Sequence, residues 1–218
     1  KGHRIMKLQQ LLPTLVLSSI LFLSAAAADS DAVLDTDGNP LKPRTKYYIL
    51  LSPGIGGGLK LASRNGTCPL YVAEAGSEVD PGLPVRFYPA DKGDDTVRQG
   101  RDANFVFSAF TTCAQSTVWR IRISSDEATV RIYYVSTGGV IGRPGRQTLS
   151  NWFKIRQAED GSNTYSLVYC PTVCNTCRPF CGTLGSFVEN GTAWLGIDGS
   201  HLTVTFQKVY DAVRPAIQ

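Results

Sequence analysis

Short runs of β-branched and aromatic residues recur along the chain, with Gly- and Pro-containing segments between them. In the run from Val118 to Ile123, Arg120 and Arg122 alternate with hydrophobic residues, as expected for a half-buried strand. No segment keeps a helical period for three turns. The pattern therefore predicts an all-β domain, either a closed barrel or a sandwich. The predicted strands are 47–51, 59–62, 70–73, 105–110, 118–123, 130–135, 152–155, 165–169, 193–197 and 202–206.

A weak internal recurrence favours the barrel. Aromatic-rich runs that begin at Tyr47, Phe105 and Tyr165 return about every 55 to 60 residues. Three such lobes would fill the chain after residue 29, as in a three-fold trefoil barrel.

The first thirty residues resemble a secretory signal. Basic residues lead into an apolar run from Leu15 to Leu23, and Ala26 to Ala28 form a cleavage site before Asp29. The run is shorter than the roughly 20 residues that span a bilayer, so we predict no membrane anchor. We interpret 1–28 as upstream residues plus a signal peptide, with Met6 as initiator, and 29–218 as a single domain.

Charge and histidine content narrow the function. The chain has 22 Lys and Arg against 18 Asp and Glu, and the predicted leader holds three of the basic residues, which leaves a charge of +1. No basic block remains to follow a phosphate backbone, so we expect no nucleic-acid partner. His201 is the single histidine after the leader. It lies beside Ser200 and Asp198, and we interpret it as a surface residue rather than as part of a catalytic triad. We therefore predict that the protein is not an enzyme and uses no cofactor.

Six cysteines in an exported chain predict disulfides. Four of them form a cluster with Cys-x3-Cys-x2-Cys-x3-Cys spacing, whose inner pair would also be compatible with zinc. The unusual outer spacing and an oxidising compartment favour disulfides over that metal site.

Motifs throughout the chain resemble the plant Kunitz (soybean trypsin inhibitor) family. The segment VLDTDGNPL at Val33, followed by Tyr47-Tyr48-Ile49, is similar to the family's N-terminal signature. The four-cysteine cluster and Asn151-Trp152-Phe153 resemble the miraculin-like branch. The resemblance implies a twelve-stranded β-trefoil, secreted or vacuolar in a plant, and in many members inhibition of serine proteases. Further matches are GGGL at Gly56, CPL at Cys68, GLPVRF at Gly82, VWR at Val118, TGGV at Thr137, TLSNWFK at Thr148 and YCP at Tyr169.

The resemblance also implies how the cysteines pair: Cys68 with Cys113, Cys170 with Cys181, and Cys174 with Cys177. The first bond would close a loop of about 45 residues, which is worth roughly 4 kcal/mol in the chain-entropy model. The nested bonds would staple a local hairpin.

Inhibition in this family is attributed to one exposed loop between the fourth and fifth strands. Here that loop would follow Phe87 and occupy 88–96, from Tyr88 to Thr96. A trypsin-like target requires a long cation at the apex, and Lys92 is the cation of this segment. We therefore predict Lys92–Gly93 as the scissile bond. The flanking alternatives are Arg86–Phe87 and Arg98–Gln99.

Three features argue against an inhibitory loop. Gly93 adds flexibility, and Asp91, Asp94 and Asp95 surround Lys92 with negative charge. Pro43 occupies a position where active members often place a bracing Asn.

The alternatives are a non-inhibitory seed storage or defence protein, or a ligand-binding trefoil surface, although no aromatic and carboxylate cluster stands out. An acidic protease, a cysteine protease, subtilisin or an amylase also remain open as targets.

Two sequons, at Asn65 and Asn190, each lie in a Gly-containing turn. They predict N-glycosylation, with ordinary turn asparagines as the alternative.

Overall fold

The computed structural model describes residues 31–52, 57–123, 131–159 and 163–210. The predicted signal peptide lies outside these residues. Among the described residues, no helix has the length and apolar character needed to cross a membrane.

Strands account for nearly all regular structure, which confirms the all-β prediction. One short 3-10 helix, Arg146–Asn151, accompanies them. The strands are β1 Tyr47–Leu51, β2 Leu59–Ala62, β3 Tyr71–Glu74, β4 Val85–Pro89, β5 Ala103–Phe107, β6 Arg120–Ile123, β7 Tyr133–Ser136, β8 Lys154–Gln157, β9 Tyr165–Tyr169, β10 Gly182–Glu189, β11 Thr192–Ile197, β12 Ser200–His201 and β13 Val204–Lys208.

Six of these strands close into a barrel. β1 pairs with both β13 and β4, and β4 pairs with β5. Ala103 of β5 bridges to Phe153, the residue before β8. β8 then pairs with β9, and β9 pairs with β13, which completes the ring. Because every barrel strand has a neighbour on both sides, the ring leaves no long open edge for another chain to pair with.

Three hairpins meet at one end of this barrel. They are β2–β3, β6–β7 and β10–β11, and their second strands pair with one another as β3–β7, β7–β11 and β3–β11. A six-stranded barrel capped by a triangle of hairpins is the architecture of a β-trefoil. The three lobes open at β1, β5 and β9, close to the recurrence seen in the sequence. The two-residue β12, which pairs with β10, is additional to the twelve strands expected.

Aromatic side chains fill the barrel. Phe87 of β4 packs edge-on against Phe105 of β5 and Phe206 of β13, with ring centroids 4.8 and 5.5 Å apart. Phe153 lies 5.6 Å from Phe105, and Tyr165 of β9 lies 5.5 Å from Phe206. All five are buried. Since edge-to-face aromatic pairs gain about 0.5–1.5 kcal/mol beyond area burial, this contact chain ties the three lobes together.

The structure corrects several strand predictions. The strand predicted at 105–110 is Ala103–Phe107 instead, and Phe110 is fully exposed. Strands β4, β10 and β12 were not predicted, and β10 was missed because its glycines obscure the strand pattern. They are required by packing: a Cβ on Gly185 would lie 2.4 Å from the Ser200 carbonyl oxygen, and one on Gly182 would lie 2.2 Å from Ile197.

The six cysteines form three disulfides in the structure. Cys68 is bonded to Cys113, and the cluster holds Cys170–Cys181 and the nested Cys174–Cys177. These are the pairs that the resemblance implies. With the sulfurs of the cluster joined to one another, its thiolates are not available for the alternative zinc site.

A buried ion pair joins the chain before β5 to β8. Asp102 Oδ1 lies 3.1 Å from Lys154 Nζ, and both side chains are 5% exposed. This contact is a charge pairing rather than an aligned hydrogen bond. Lys154 Nζ also donates to the Gly100 carbonyl oxygen and to Thr172 Oγ1, each at 3.0 Å. Asp102 Oδ2 accepts from Thr172 N at 2.9 Å and from Thr172 Oγ1 at 2.5 Å. The network therefore satisfies both charges inside the protein.

Removing one partner should leave the other charge buried and uncompensated. We expect Lys154→Met to lower the free energy of unfolding by about 3–5 kcal/mol. The double variant Lys154→Met with Asp102→Asn removes both charges and should recover much of that loss. Urea denaturation with intact disulfides measures both. A Lys154→Met protein as stable as the parent would contradict the assignment of this pair as a buried, paired charge.

Candidate functional site

The connection between β4 and β5, residues 90–102, forms the candidate loop. These bounds correct the predicted 88–96, because Tyr88 and Pro89 pair with Asn104 and Ala103 as the end of β4. Its base is closed by a hydrogen bond of 2.8 Å from Ala90 N to the Asp102 carbonyl oxygen. Lys92 is exposed and lines two clefts. One, of about 860 Å³, also includes Arg101 and Asn175, and the other, of about 480 Å³, includes Tyr88. Lys92 therefore projects from a ridge between two surface depressions.

The apex of the loop is a tight turn built by Asp91. Its Oδ1 accepts a hydrogen bond of 3.0 Å from Gly93 N, and its carbonyl oxygen accepts one of 3.4 Å from Asp94 N. An aspartate that bonds the backbone two residues ahead is a standard turn-forming device. Gly93 is not among the glycines with positive φ, so the turn does not require glycine there. The side chain of Asp91 thus orders the residues on both sides of the predicted scissile bond.

The acids around Lys92 have other partners. Asp91 is engaged by Gly93, and Asp94 Oδ1 lies 3.9 Å from Arg98 Nε. Asp95 Oδ1 accepts a hydrogen bond of 3.0 Å from Thr96 Oγ1. Among the described residues, no carboxylate lies within 4 Å of the Lys92 ammonium group. The expected competition for Lys92 is therefore weaker than the sequence suggests.

The far side of the loop is held by the N-terminal segment of the domain. Val97 is buried, and its N donates to the Leu41 carbonyl oxygen at 2.8 Å. The Val97 carbonyl oxygen in turn accepts from Val33 N at 2.9 Å. Lys42 Nζ donates to Thr96 Oγ1 at 3.3 Å. The residues that follow the apex are consequently fixed to the N-terminal segment of the domain.

Pro43 lies in the second cleft beside the loop. Its neighbours are held firmly: Lys42 N donates to Tyr47 Oη at 2.9 Å, and Arg44 N donates to the Phe87 carbonyl oxygen at 3.0 Å. Burial raises the pKa of Tyr47, so this phenol stays protonated at neutral pH. Proline offers no side-chain hydrogen bond to the loop, and bracing comes instead from Asp91 and from the backbone bonds of Val97.

The flanking candidate bonds lie in paired backbone. Arg86 and Phe87 belong to β4, opposite Val106 and Phe105, and Phe87 is completely buried. A protease would have to separate β4 from β5 to reach this bond.

The second flanking bond is similarly restrained. Arg98 forms a 2.6 Å ion pair with Asp31, and Gln99 N donates to the Asp31 carbonyl oxygen at 2.7 Å. Of the three candidate bonds, Lys92–Gly93 is the one placed in an exposed turn.

The other predicted surface residues are exposed. Asn190 and Gly191 form the two-residue turn between β10 and β11, with φ angles of 51° and 76°. Asn65 is exposed in the segment that leads to Cys68, and His201 is exposed in β12. The described residues contain no group of three or more His, Cys, Asp or Glu side chains that could hold a metal ion.

Comparisons with known proteins place this architecture in a family. A family model for legume Kunitz proteins, described as trypsin and protease inhibitor, matches residues 33–208. Miraculin from Synsepalum dulcificum is 41% identical over 194 residues, which cover 85% of this chain and 87% of miraculin. The 21 kDa seed protein of Theobroma cacao is 35% identical over 206 residues, covering 92% and 91% of the two chains.

A solved structure shows the same fold. The Kunitz-type cysteine protease inhibitor PCPI-3 from potato superposes with a TM-score of 0.73 at 34% sequence identity, covering 83% of this chain and 98% of that one. The disulfide-rich domain is consistent with the secretory pathway. The chain therefore belongs to the plant Kunitz (soybean trypsin inhibitor) family, a non-enzymatic family of protease inhibitors.

Proposed function

We propose that this protein inhibits trypsin-like serine proteases by presenting Lys92 to the active site as a substrate would. The observation that carries the proposal is the placement of Lys92, an exposed cation at the apex of a turn whose base is closed by a bond from Ala90 to Asp102 and whose far side is bonded to the N-terminal segment of the domain. The ammonium group would reach the carboxylate of the protease's specificity pocket, and the Lys92 carbonyl carbon would face the nucleophile.

Rigidity explains why such a loop would inhibit rather than be consumed. The loop is ordered before binding, so little conformational entropy is lost in the complex. After attack on Lys92–Gly93, the new amine of Gly93 would stay close to the acyl group, because Val97 is bonded to Leu41 and Ala90 is bonded to Asp102. A leaving group held at high effective concentration favours resynthesis of the bond over release.

The positive charge of Lys92 remains available to a partner. Asp94 is paired with Arg98 and Asp91 is bonded to Gly93. No carboxylate in the described part of the chain pairs with Lys92, so binding a protease does not first require such an ion pair to be broken. This supports a trypsin-like enzyme over targets that select an apolar residue at this position.

A second candidate function is seed storage or defence without inhibition. It is supported by the density of carboxylates at residues 91, 94 and 95, and by similarity to a relative named as a 21 kDa seed protein rather than as an inhibitor. Similarity to a cysteine protease inhibitor keeps that protease class as a further target.

Replacing Lys92 should abolish inhibition. We expect Lys92→Ala to weaken inhibition of trypsin at least about a hundredfold, because a buried charged anchor dominates such interfaces, whereas Lys92→Arg retains it. Arg86→Ala, which tests the flanking bond in β4, should inhibit as the parent does. Titration against trypsin with a chromogenic substrate measures all four proteins.

The outcomes separate the two candidates. If Arg86→Ala loses inhibition and Lys92→Ala keeps it, the reactive bond is Arg86–Phe87 and not Lys92–Gly93. An unmodified protein that leaves trypsin fully active would remove this proposal and favour storage or defence.

The protein is further proposed to be extracellular or vacuolar, with N-glycans on Asn65 and Asn190. Both side chains are exposed, as glycan acceptors must be. We expect protein secreted from plant cells to lose mass on treatment with an N-glycosidase, and Asn65→Gln with Asn190→Gln to remove the change. An identical mass before and after treatment would contradict glycosylation.

A further inference from the structure

The candidate loop is too small to form a protease interface alone. Specific protein interfaces involve about 20–30 residues a side, and protease–inhibitor complexes are of this standard size. The exposed apex contributes only residues near Lys92, so the surface beside it must supply further contacts. The most informative surface is the wall that shares a cleft with Lys92.

An exposed apolar residue, Ile141, lies in that wall, and an exposed valine, Val140, precedes it in the chain. Val140 and Ile141 are 45% and 43% exposed, and Ile141 lines the 480 Å³ cleft together with Lys92 and Tyr88. We name these two residues the apolar ledge. Ile141 thus places apolar surface in the same cleft as Lys92, where a partner that takes Lys92 would lie.

Buried asparagines hold the ledge in place from below. Asn104 is completely buried, and its Oδ1 accepts a hydrogen bond of 2.7 Å from Gly142 N. Its Nδ2 donates to the Asn151 carbonyl oxygen at 2.8 Å, while Asn151 Nδ2 donates to the Val140 carbonyl oxygen at 3.5 Å. The two amides therefore fix the backbone on both sides of Ile141.

A second set of bonds fixes the chain after the ledge. Thr148 Oγ1 donates to the Arg143 carbonyl oxygen at 2.5 Å and accepts from Trp152 Nε1 at 3.2 Å. Gly142 and Arg143 have left-handed φ angles of 70° and 56°, which this bonding maintains. Because these bonds already hold the backbone under the ledge, little backbone entropy is lost when a partner covers its two side chains.

We propose that the apolar ledge is a second contact for the protease that takes Lys92, packing against the protease surface beside its active-site cleft. This rests on the proposed function, since the same enzyme must occupy both. Lys92 would set the preference for a cation-binding pocket. Among enzymes with such a pocket, the ledge would favour those whose surface beside the active-site cleft is apolar. Charged groups at that surface would lose their water and gain no partner from the ledge.

The double variant Val140→Ser with Ile141→Ser tests the ledge. We expect its inhibition constant for trypsin to rise about tenfold, mainly through faster dissociation, as is usual for changes within one interface. We expect the double variant to keep its fold, with a thermal midpoint roughly a few degrees below that of the parent, because part of each side chain is packed against the protein. Val188→Ser is the matched control, since Val188 is 75% exposed on β10 and lines neither cleft beside Lys92. It should inhibit as the parent does.

Each outcome decides the matter. Weaker inhibition by the double variant alone supports the ledge. Equal inhibition by the double variant and the parent overturns the ledge while leaving Lys92 as the anchor, and an equal loss in Val188→Ser overturns it as well. An unmodified protein that fails to inhibit trypsin overturns the ledge and the proposed function together.

Discussion

The buried pair of Asp102 and Lys154 is the constraint on which the presentation of the loop depends. It lies where the loop rejoins the barrel, and the same ammonium group that neutralises Asp102 also binds the Gly100 carbonyl oxygen of the loop. Thr172, from the segment that carries the cysteine cluster, completes the network. Three parts of the chain far apart in sequence are thereby fixed at one point. A buried pair of this kind adds little net stability over an apolar core, so its value here is the position it specifies.

From that anchor the loop is ordered outward in stages. A backbone bond from Ala90 to Asp102 closes its base, backbone bonds of Val97 join its far side to the N-terminal segment, and Asp91 organises the apex. Each stage uses partners that are already in place before any protease binds. The exposed cation is therefore presented by bonds made by the backbone and by other side chains. This arrangement agrees with a family in which one fold carries members named for different targets.

The sequence predicts the fold well because local patterns and motifs agree. Strands β1, β2 and β9 lie at the predicted residues, since each is a compact run of β-branched and aromatic side chains. Strand β10 escapes prediction because its glycines are dictated by the close approach of β11 and β12, which is a tertiary fact. The hydrogen bonds and ion pairs that brace the loop cannot be predicted from the sequence for the same reason. Which cation pairs with Asp94 or Asp102 depends on three-dimensional proximity, and the sequence alone shows only acids around a lysine.

The most direct test of this account is to incubate the native protein with catalytic amounts of trypsin and identify the cleaved bonds by mass spectrometry. We expect slow cleavage at Lys92–Gly93 alone, with the two fragments held together by the barrel and by the Cys68–Cys113 disulfide until the protein is both denatured and reduced. Rapid cleavage at several basic residues, or a first cut after Arg86 or Arg98, would contradict the claim that a rigid body presents Lys92 to the protease.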